Sequence, residues 1–255
     1  LEYLGILKPT NSSLTKIIDA NKDLSIQVHP DNELAEKYEG ELGKTECWYV
    51  LKANQNASLI YGHSAKNHDD LVNMISDKKW DRLLKKIPIK TGDFFYVPSG
   101  TVHAINAGTM VLETQQSSDT TYRLYDYDRI DPNTGNTRPL DLKKAIASIS
   151  VPFVAPQINK KISNSDQSRT TEFLSGISPA YFDIWKWEIG SLTDFHHEKG
   201  SYTLVSIVDG EGTFLSDNFK KIIKKGEHFI IPAQIKKWQL DGKLTAIASE
   251  PLDQN

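Results

Sequence analysis

Residues 92–106, which read GDFFYVPSGTVHAIN, constrain the fold more than any other part of the chain. The first half is aromatic and β-branched, which predicts a buried strand. That strand ends at Pro98, because proline cannot donate to a strand ladder, and Gly100 tolerates the turn that follows. The next residues alternate so that His103 faces inward. Because neutral imidazole is the commonest protein ligand of divalent metals, the segment predicts two short strands that present a metal ligand.

Two stretches nearer the N-terminus carry ligand-type side chains at strand spacing. Gln27 and His29 lie two residues apart in SIQVHPD, so both side chains point to the same face of a strand. Glu46 begins the apolar run ECWYVL, where an unpaired carboxylate would be costly. With His103, they supply two imidazoles, one carboxylate and one amide oxygen. This set suits a borderline divalent ion such as zinc and leaves room for substrate oxygens.

Alternating and β-branched runs predict a mainly β chain with few helices. The expected strands cover residues 24–29, 46–51, 57–61, 109–113 and 120–125. The spacing of apolar residues predicts one helix over 69–87, capped by Asn67 or Ser64, and a shorter helix over 140–149. We expect a first domain over 1–150 with a helical insertion near 67–87, a polar connection over 151–170, and a second domain over 171–255.

The chain contains an internal repeat, which indicates duplication of a β unit. Residues 226–232 copy the spacing of residues 92–98, namely Gly, five residues, Pro, and both ends are offset by 134 residues (226 − 92 and 232 − 98). At the same offset His103 becomes Lys237, whose protonated amine repels a cation. We therefore expect the second domain to be a degenerate copy that packs and holds no metal.

Composition excludes several classes of function. The chain has 30 basic and 33 acidic side chains and a net charge of −3, and no basic run stands out, so neither nucleic acid nor a membrane surface is an expected partner. No stretch has the length of a membrane span or the pattern of a signal peptide. A single cysteine, Cys47, excludes an internal disulfide and fits a reducing compartment. We expect a soluble cytoplasmic protein that is a monomer or a homodimer.

Residues 92–106 contain Gly, five other residues, Pro-x-Gly-x-x-His and then Asn. This spacing resembles the second sequence motif of the cupin superfamily, although Asn106 comes one residue earlier than the Asn of that motif. A closer resemblance is to the type I mannose-6-phosphate isomerase family, in its short bacterial form. Its N-terminal Trp-Gly-Gly signature does not precede the matching motifs, and the match is strong over 13–151 and looser beyond. The motifs that carry it are SIQVHPD (25–31), GKTE (43–46), PSGTVHA (98–104) and ETQQSSDTTYR (113–123).

The resemblance implies two cupin-like antiparallel jelly-roll barrels with a small helical insertion. It implies a zinc-dependent aldose–ketose isomerase that interconverts mannose 6-phosphate and fructose 6-phosphate through an enediol intermediate. Arg123 matches the active-site arginine of the family, and Lys44 matches a lysine near the substrate. The residues that match the ligands of one Zn²⁺ per chain are Gln27, His29, Glu46 and His103.

The residues themselves leave several alternatives open. Arg123 lies in a strand where alternation places Tyr125 and Tyr127 on its face, and it could instead pair with Asp126 or Asp128 on the sheet surface. Lys44 could be an ordinary loop lysine. The candidate general bases, none singled out by spacing, are Asp119, Glu113 and His63.

Two other functions are compatible with the same donor set. Two imidazoles and a carboxylate also hold Fe(II), as in a non-haem iron dioxygenase, although Gln27 and the Lys and Arg expected at a phosphate site disfavour it. A non-catalytic sugar-binding cupin is the other alternative. Metal identity and oxygen consumption separate the first of these from an isomerase.

Overall fold

The computed structural model describes residues 12–174, 177, 181–197, 202–217 and 219–252. The chain divides into two units after Pro156: Leu14–Pro156 forms one compact unit, and the described residues from Gln157 onward belong to the other. Strands predominate in both, which confirms the predicted mainly β class. None of the helices in these described ranges is long and apolar enough to cross a membrane.

The unit Leu14–Pro156 is built on two sheets. The four-stranded sheet has the order β1 (Ser13–Ala20), β8 (Thr109–Gln116), β3 (Glu46–Ala53), β6 (Phe94–Val97). The five-stranded sheet has the order β5 (Leu84–Pro88), β4 (Ser58–His63), β7 (His103–Ile105), β2 (Ile26–Val28), β9 (Tyr122–Tyr125).

Alternation along the strands gives the five-stranded sheet two apolar faces. Leu59 and Ile105 from this sheet cluster with Trp48 and Val50 from the four-stranded sheet, so this cluster fills the space between the two sheets. The intervening residues, such as Ile60, belong to a second cluster on the opposite face, which packs against the helices. Polar side chains that share the first face with Leu59 and Ile105 are therefore directed between the sheets.

Four helices are described: α1 (Asn32–Glu39), α2 (His68–Ser76), α3 (Trp80–Leu83) and α4 (Leu142–Ser148). The Asn67 side chain caps α2 by accepting from the backbone N–H of Asp70, one of the two caps expected. The prediction of one helix over 69–87 is wrong in its second half. Lys78 adopts a φ of 53°, which interrupts the helix, and Leu84–Pro88 pairs with β4 as a strand. The apolar spacing over 80–87 fits a short helix followed by a strand equally well.

The second unit is one large antiparallel sheet. Its strand order is β10 (Lys161–Ser165), β11 (Ser168–Glu172), β12 (Phe182–Ile189), β17 (Lys237–Pro251), β14 (Thr203–Ser216), β15 (Phe219–Lys224), while β13 (Thr193–His196) pairs with β17 and β16 (His228–Ile231) pairs with β14. The segment 151–170, interpreted as a polar connection between domains, thus contributes β10 and the start of β11. Every residue of Lys161–Ser165 is exposed, so this edge strand lacks the apolar alternation that would have revealed it.

The internal repeat is visible in the backbone. β16 begins and ends 134 residues after β6 (228 − 94 and 231 − 97). The preceding glycines, Gly92 and Gly226, both adopt positive φ, at 91° and 90°, a conformation that favours glycine. The same Gly-led turn therefore opens the same strand in both units, as the spacing predicted.

Candidate metal centre

Strand pairing places the ligand-type residues of the five-stranded sheet in one row. Gln27 on β2 lies directly opposite His103 on β7, and on its other side directly opposite Arg123 on β9. Side chains of directly paired residues project to the same face of a sheet. Gln27, His103 and Arg123 therefore share one face of the sheet, with Gln27 in the middle.

Glu46 reaches the same space from the four-stranded sheet, where it lies between Val97 and Gln115. One carboxylate oxygen is 3.3 Å from His29 Nε2 and the other is 3.3 Å from His103 Nε2. The two imidazole rings are 4.8 Å apart between centroids. One ligand atom from each of the three residues lies within 4.8 Å of the others, and all three side chains are buried.

Backbone carbonyls orient both imidazoles. His29 Nδ1 lies 2.9 Å from the carbonyl oxygen of Thr120, and His103 Nδ1 lies 2.8 Å from that of Thr101. Since a carbonyl only accepts, each Nδ1 donates, and each Nε2 is left with a lone pair directed towards Glu46. This arrangement, with the outer nitrogen bonded to a carbonyl, is typical of histidine that ligates a metal.

The protonation states also fit a metal. Burial lowers the pKa of His29, and it lowers the pKa of His103 to about 4, so both rings are neutral near pH 7. Burial alone would raise the pKa of Glu46, but the neighbouring His29 and His103 and the Lys44 ammonium lower it to about 2. Two neutral imidazoles and an ionised carboxylate are the forms that bind a cation.

Several buried polar atoms at this centre have no hydrogen-bond partner. They are His29 Nε2 and both carboxylate oxygens of Glu46. Leaving such atoms unsatisfied in a protein interior costs about 1–3 kcal/mol each, and more for a charged group. A divalent cation would satisfy all three at once, so the residues present fit a metal ion. The side-chain amide of Gln27, whose nitrogen lies 3.2 Å from His103 Nε2, borders the same space.

Lys44 lies beside the centre, and Arg123 lies on β9 directly opposite Gln27. The Lys44 side chain is only 8% exposed, and its Nζ is 3.8 Å from a carboxylate oxygen of Glu46, so it is not an ordinary loop lysine. Arg123 donates from Nη1 to the carbonyl oxygen of Pro139 at 3.0 Å, and its buried Nε has no partner. The Asp126 carboxylate, the alternative partner of Arg123, instead accepts hydrogen bonds from Arg129 and Arg138.

The three candidate bases differ sharply in their surroundings. Asp119 is exposed. His63 is buried, with Nε2 3.0 Å from the carbonyl oxygen of Ser150. Glu113 projects from β8 between the sheets and accepts a hydrogen bond from Trp48 Nε1 at 3.0 Å; the Trp48 ring packs edge-on against that of His103. Among the three, Glu113 is therefore the carboxylate in the same interior space as the metal centre.

Sequence reasoning missed Lys16. Lys16 lies on β1, the strand next to β8. Its Nζ is 2.9 Å from Glu113 Oε1 and 2.8 Å from Gln115 Oε1. Burial raises the pKa of Glu113 to about 7, a rise that Glu46 strengthens and Lys16 opposes. The signal for Lys16 is a single cation in the run SLTKIID, whose strand character the sequence pattern left undecided.

The expected position of Tyr125 is wrong. Gln27 pairs with Arg123 but Ile26 pairs with Tyr125, so a β-bulge inserts one extra residue into β9 at this point. Tyr125 consequently packs against the apolar cluster on the helical face of the sheet rather than beside Arg123. A bulge shifts the register by one residue, and alternation in the sequence does not reveal it.

Comparisons with known proteins show which chains this one is similar to. Two family models match, "Phosphomannose isomerase type I, catalytic domain" over residues 7–58 and "Mannose-6-phosphate isomerase, cupin domain" over residues 170–251. A mannose-6-phosphate isomerase of Streptococcus mutans is 48% identical over 92% of this chain and 73% of its own length. One of Bacillus subtilis is 45% identical over 92% of this chain and 74% of its own length.

Solved structures give the same result for the fold. The crystal structure of the mannose 6-phosphate isomerase from Bacillus subtilis superimposes with a TM-score of 0.86 at 43% identity and covers 93% of this chain and 74% of that one. A more distant structure from Archaeoglobus fulgidus has a TM-score of 0.68 at 18% identity, over 95% of this chain and 72% of that one, and supports the fold alone.

Proposed function

The chain belongs to the type I mannose-6-phosphate isomerase family, and from that membership we propose that it interconverts mannose 6-phosphate and fructose 6-phosphate through an enediol intermediate. The observation that carries the proposal is the buried cluster of His29, Glu46 and His103, with Lys44 beside it and Arg123 opposite Gln27 on the neighbouring strand. The reaction moves a proton between C1 and C2 of an anionic sugar. The reaction requires a group that carries the proton, a group that stabilises the developing oxyanion and a group that binds the phosphate.

We propose that the ion is Zn²⁺, one per chain, held by Gln27, His29, Glu46 and His103. Imidazole and carboxylate donors suit zinc, and the neutral amide of Gln27 leaves a net positive charge that a second carboxylate would cancel. When bound, the ion supplies a local positive charge that favours an oxygen-rich anionic substrate.

Arg123 and Lys44 supply fixed positive charge to the substrate in this proposal. The unpartnered Nε of Arg123 leaves part of its planar guanidinium available to an oxyanion, while the bond to Pro139 holds its orientation. Lys44 is buried beside Glu46, where an ammonium group acts more strongly than in water. The two cations stabilise the enediolate or anchor the phosphate.

Glu113 is the proposed proton carrier. An effective general base has a pKa close to the working pH, and burial raises the pKa of Glu113 in the metal-free protein from 4.5 to about 7. Trp48 and Lys16 hold the two carboxylate oxygens in place, each through one contact. Deprotonated Glu113 would accept the C1 or C2 proton and return it to the neighbouring carbon.

The test is a coupled assay of mannose 6-phosphate conversion, before and after chelation and after zinc is restored. The proposal expects activity to be lost on chelation and recovered with zinc. Oxygen consumption with Fe(II) and no isomerisation would instead indicate a dioxygenase. Zinc bound by folded protein without turnover would indicate a sugar-binding cupin.

A phosphosugar substrate and a buried free Cys47 also fit a cytoplasmic enzyme.

A further inference from the structure

The strand that carries Arg123 is held on its outer side by one residue, Asp141. β9 is the outermost strand of the five-stranded sheet, and the outer side of such a strand presents backbone groups that need partners from elsewhere. The Arg123 N–H donates to Asp141 Oδ2 at 3.1 Å, and the Arg123 carbonyl oxygen accepts from the Asp141 N–H at 2.8 Å. Asp141 therefore takes the place of a paired strand at the position of Arg123.

Asp141 makes these bonds instead of the helix cap expected of it. It is the N-cap residue of α4, a position where an aspartate side chain ordinarily accepts from a backbone N–H of the first helical turn. Asp31 and Asn67 do so at α1 and α2, whereas the Asp141 side chain makes no cap bond. Its φ of −103° and ψ of 42° also differ from the extended backbone of the other two caps. The Asp141 carboxylate thus serves the strand of Arg123 rather than its own helix.

The packing of α4 gives Asp141 a fixed position. The Asp141 carbonyl oxygen accepts from the Ala145 N–H at 2.8 Å, which is the first bond of the helix. Ala145 and Ile149 are buried in the cluster on the helical face of the five-stranded sheet, together with Val28 of β2. Because β2 also carries Gln27, this packing fixes Asp141 relative to the proposed metal centre.

The guanidinium of Arg123 is held by the same segment of chain. Its Nη1 donates to the carbonyl oxygen of Pro139 at 3.0 Å. The preceding residue, Arg138, donates from Nε and Nη2 to the two carboxylate oxygens of Asp126, at 2.7 and 2.6 Å, and Asp126 is only 4% exposed. A bidentate bond of this kind fixes the arginine more firmly than a single contact would. Residues 138–141 therefore hold both the backbone and the side chain of Arg123.

We propose that residues 138–141 form a clamp that positions the Arg123 guanidinium for the substrate, with Asp141 as its main positioning residue. The clamp bears on catalysis through Arg123 alone, so it rests on the proposed function. A planar cation binds an oxyanion well only in a narrow range of orientations, and a displacement of about 1 Å lowers a rate by about 100-fold. Arg123 needs this support because one side of its strand lies outside the sheet.

The test is steady-state isomerase kinetics of the zinc-loaded protein and two Asp141 variants. Asp141→Ala removes the acceptor of the Arg123 N–H and should lower kcat/KM about tenfold to a hundredfold, the fold-change of one lost bond to a charged acceptor. The loss should divide between kcat and KM as it does in Arg123→Ala. Asp141→Asn keeps a side-chain oxygen for that N–H and should stay within about threefold of the wild type. Wild-type kinetics in Asp141→Ala would overturn the proposal.

A double variant separates positioning from general support of the fold. Arg123→Ala keeps the backbone N–H that Asp141 binds but has no guanidinium to position. Adding Asp141→Ala to it should therefore change kcat/KM less than twofold, while urea unfolding reports the same loss of stability in both backgrounds. An equal loss of kcat/KM in both backgrounds would show that Asp141 supports only the fold, and would overturn the proposal.

Asn67→Ala provides the control for weakening the start of a helix. It removes the acceptor of the Asp70 N–H at α2, so it should lower the midpoint of urea unfolding and leave kcat/KM unchanged. The same measurements distinguish the clamp from the proposed function. No isomerisation by the wild type, or full activity of Arg123→Ala, would overturn the proposed role of Arg123 and the clamp with it. A large loss in Arg123→Ala together with wild-type kinetics in Asp141→Ala would overturn the clamp alone.

Discussion

Replacing Glu113 by glutamine in the metal-free protein should stabilise it at pH 8. Burial raises the pKa of this carboxyl group from an ordinary 4.5 to about 7. Each pKa unit corresponds to about 1.4 kcal/mol, so the ionised carboxylate costs the folded state about 3 kcal/mol. Glutamine has nearly the same volume and keeps an acceptor for Trp48 Nε1. It loses the ion pair with Lys16, but that side chain is 38% exposed and becomes solvated, which leaves a net gain of about 1–3 kcal/mol.

The pH dependence fixes the sign of this effect. The unfolded chain releases the Glu113 proton near pH 4.5, whereas the folded chain releases it near pH 7. Between these values the folded state binds more protons, so its stability falls as pH rises. Below pH 4.5 the carboxyl group is neutral in both states and this contribution disappears. The Glu113→Gln variant lacks the penalty, so its advantage should grow from near zero at pH 4.5 to its full size at pH 8.

Urea unfolding of both proteins at pH 4.5 and pH 8, in chelator, measures this directly. The exposed Glu211 on β14 provides a matched control, and Glu211→Gln should change stability equally at both pH values. The Glu113→Gln variant should also lose isomerase activity when zinc is supplied, because the proton carrier is gone. An advantage of Glu113→Gln that does not grow with pH would refute the raised pKa and, with it, the proposed base.

Arg123→Ala should lower turnover by about two orders of magnitude or more, because it removes a cation that contacts the substrate, and it should leave zinc content unchanged, because Arg123 is not a metal ligand. Arg169→Ala, on the exposed hairpin, is the control and should leave turnover unchanged. Lys16→Met removes a cation that lowers the pKa of Glu113, so the acidic limb of the pH–rate profile should move upward by about one pH unit. Lys16→Arg should restore the original profile. Gly62→Ala should destabilise the protein by about 3 kcal/mol in urea unfolding, because φ is 86° and an added Cβ would overlap the ring of Phe153.

The sequence was sufficient for the parts of the site that regular strands carry. Gln27 and His29 share a face because they are two residues apart. His103 reaches the same space because the turn at Gly100 leads into its strand, which pairs with that of Gln27. Glu46 could be singled out because an ionised group in an apolar strand needs a partner. In these cases local rules and the three-dimensional arrangement agree.

The errors occur where tertiary contacts override the local pattern. Residues 84–88 have apolar spacing that also fits a helix, and pairing with β4 makes them a strand. The β-bulge opposite Ile26 turns the Tyr125 side chain to the other face of the sheet, and no local residue pattern predicts this bulge. Lys16 and Glu113 are 97 residues apart in the chain (113 − 16). They form an ion pair because β1 and β8 are neighbours in the sheet, which the local sequence does not reveal.

The most direct test of the metal-centre proposal is a zinc titration of the chelated protein with isomerase activity as the readout. The proposal predicts that activity rises in proportion to added zinc and stops rising at one equivalent per chain. It also predicts that Glu46→Gln, which removes the only ligand charge, needs a large excess of zinc and does not reach full activity. Full activity without zinc, or a wild-type titration curve in Glu46→Gln, would contradict the proposed centre.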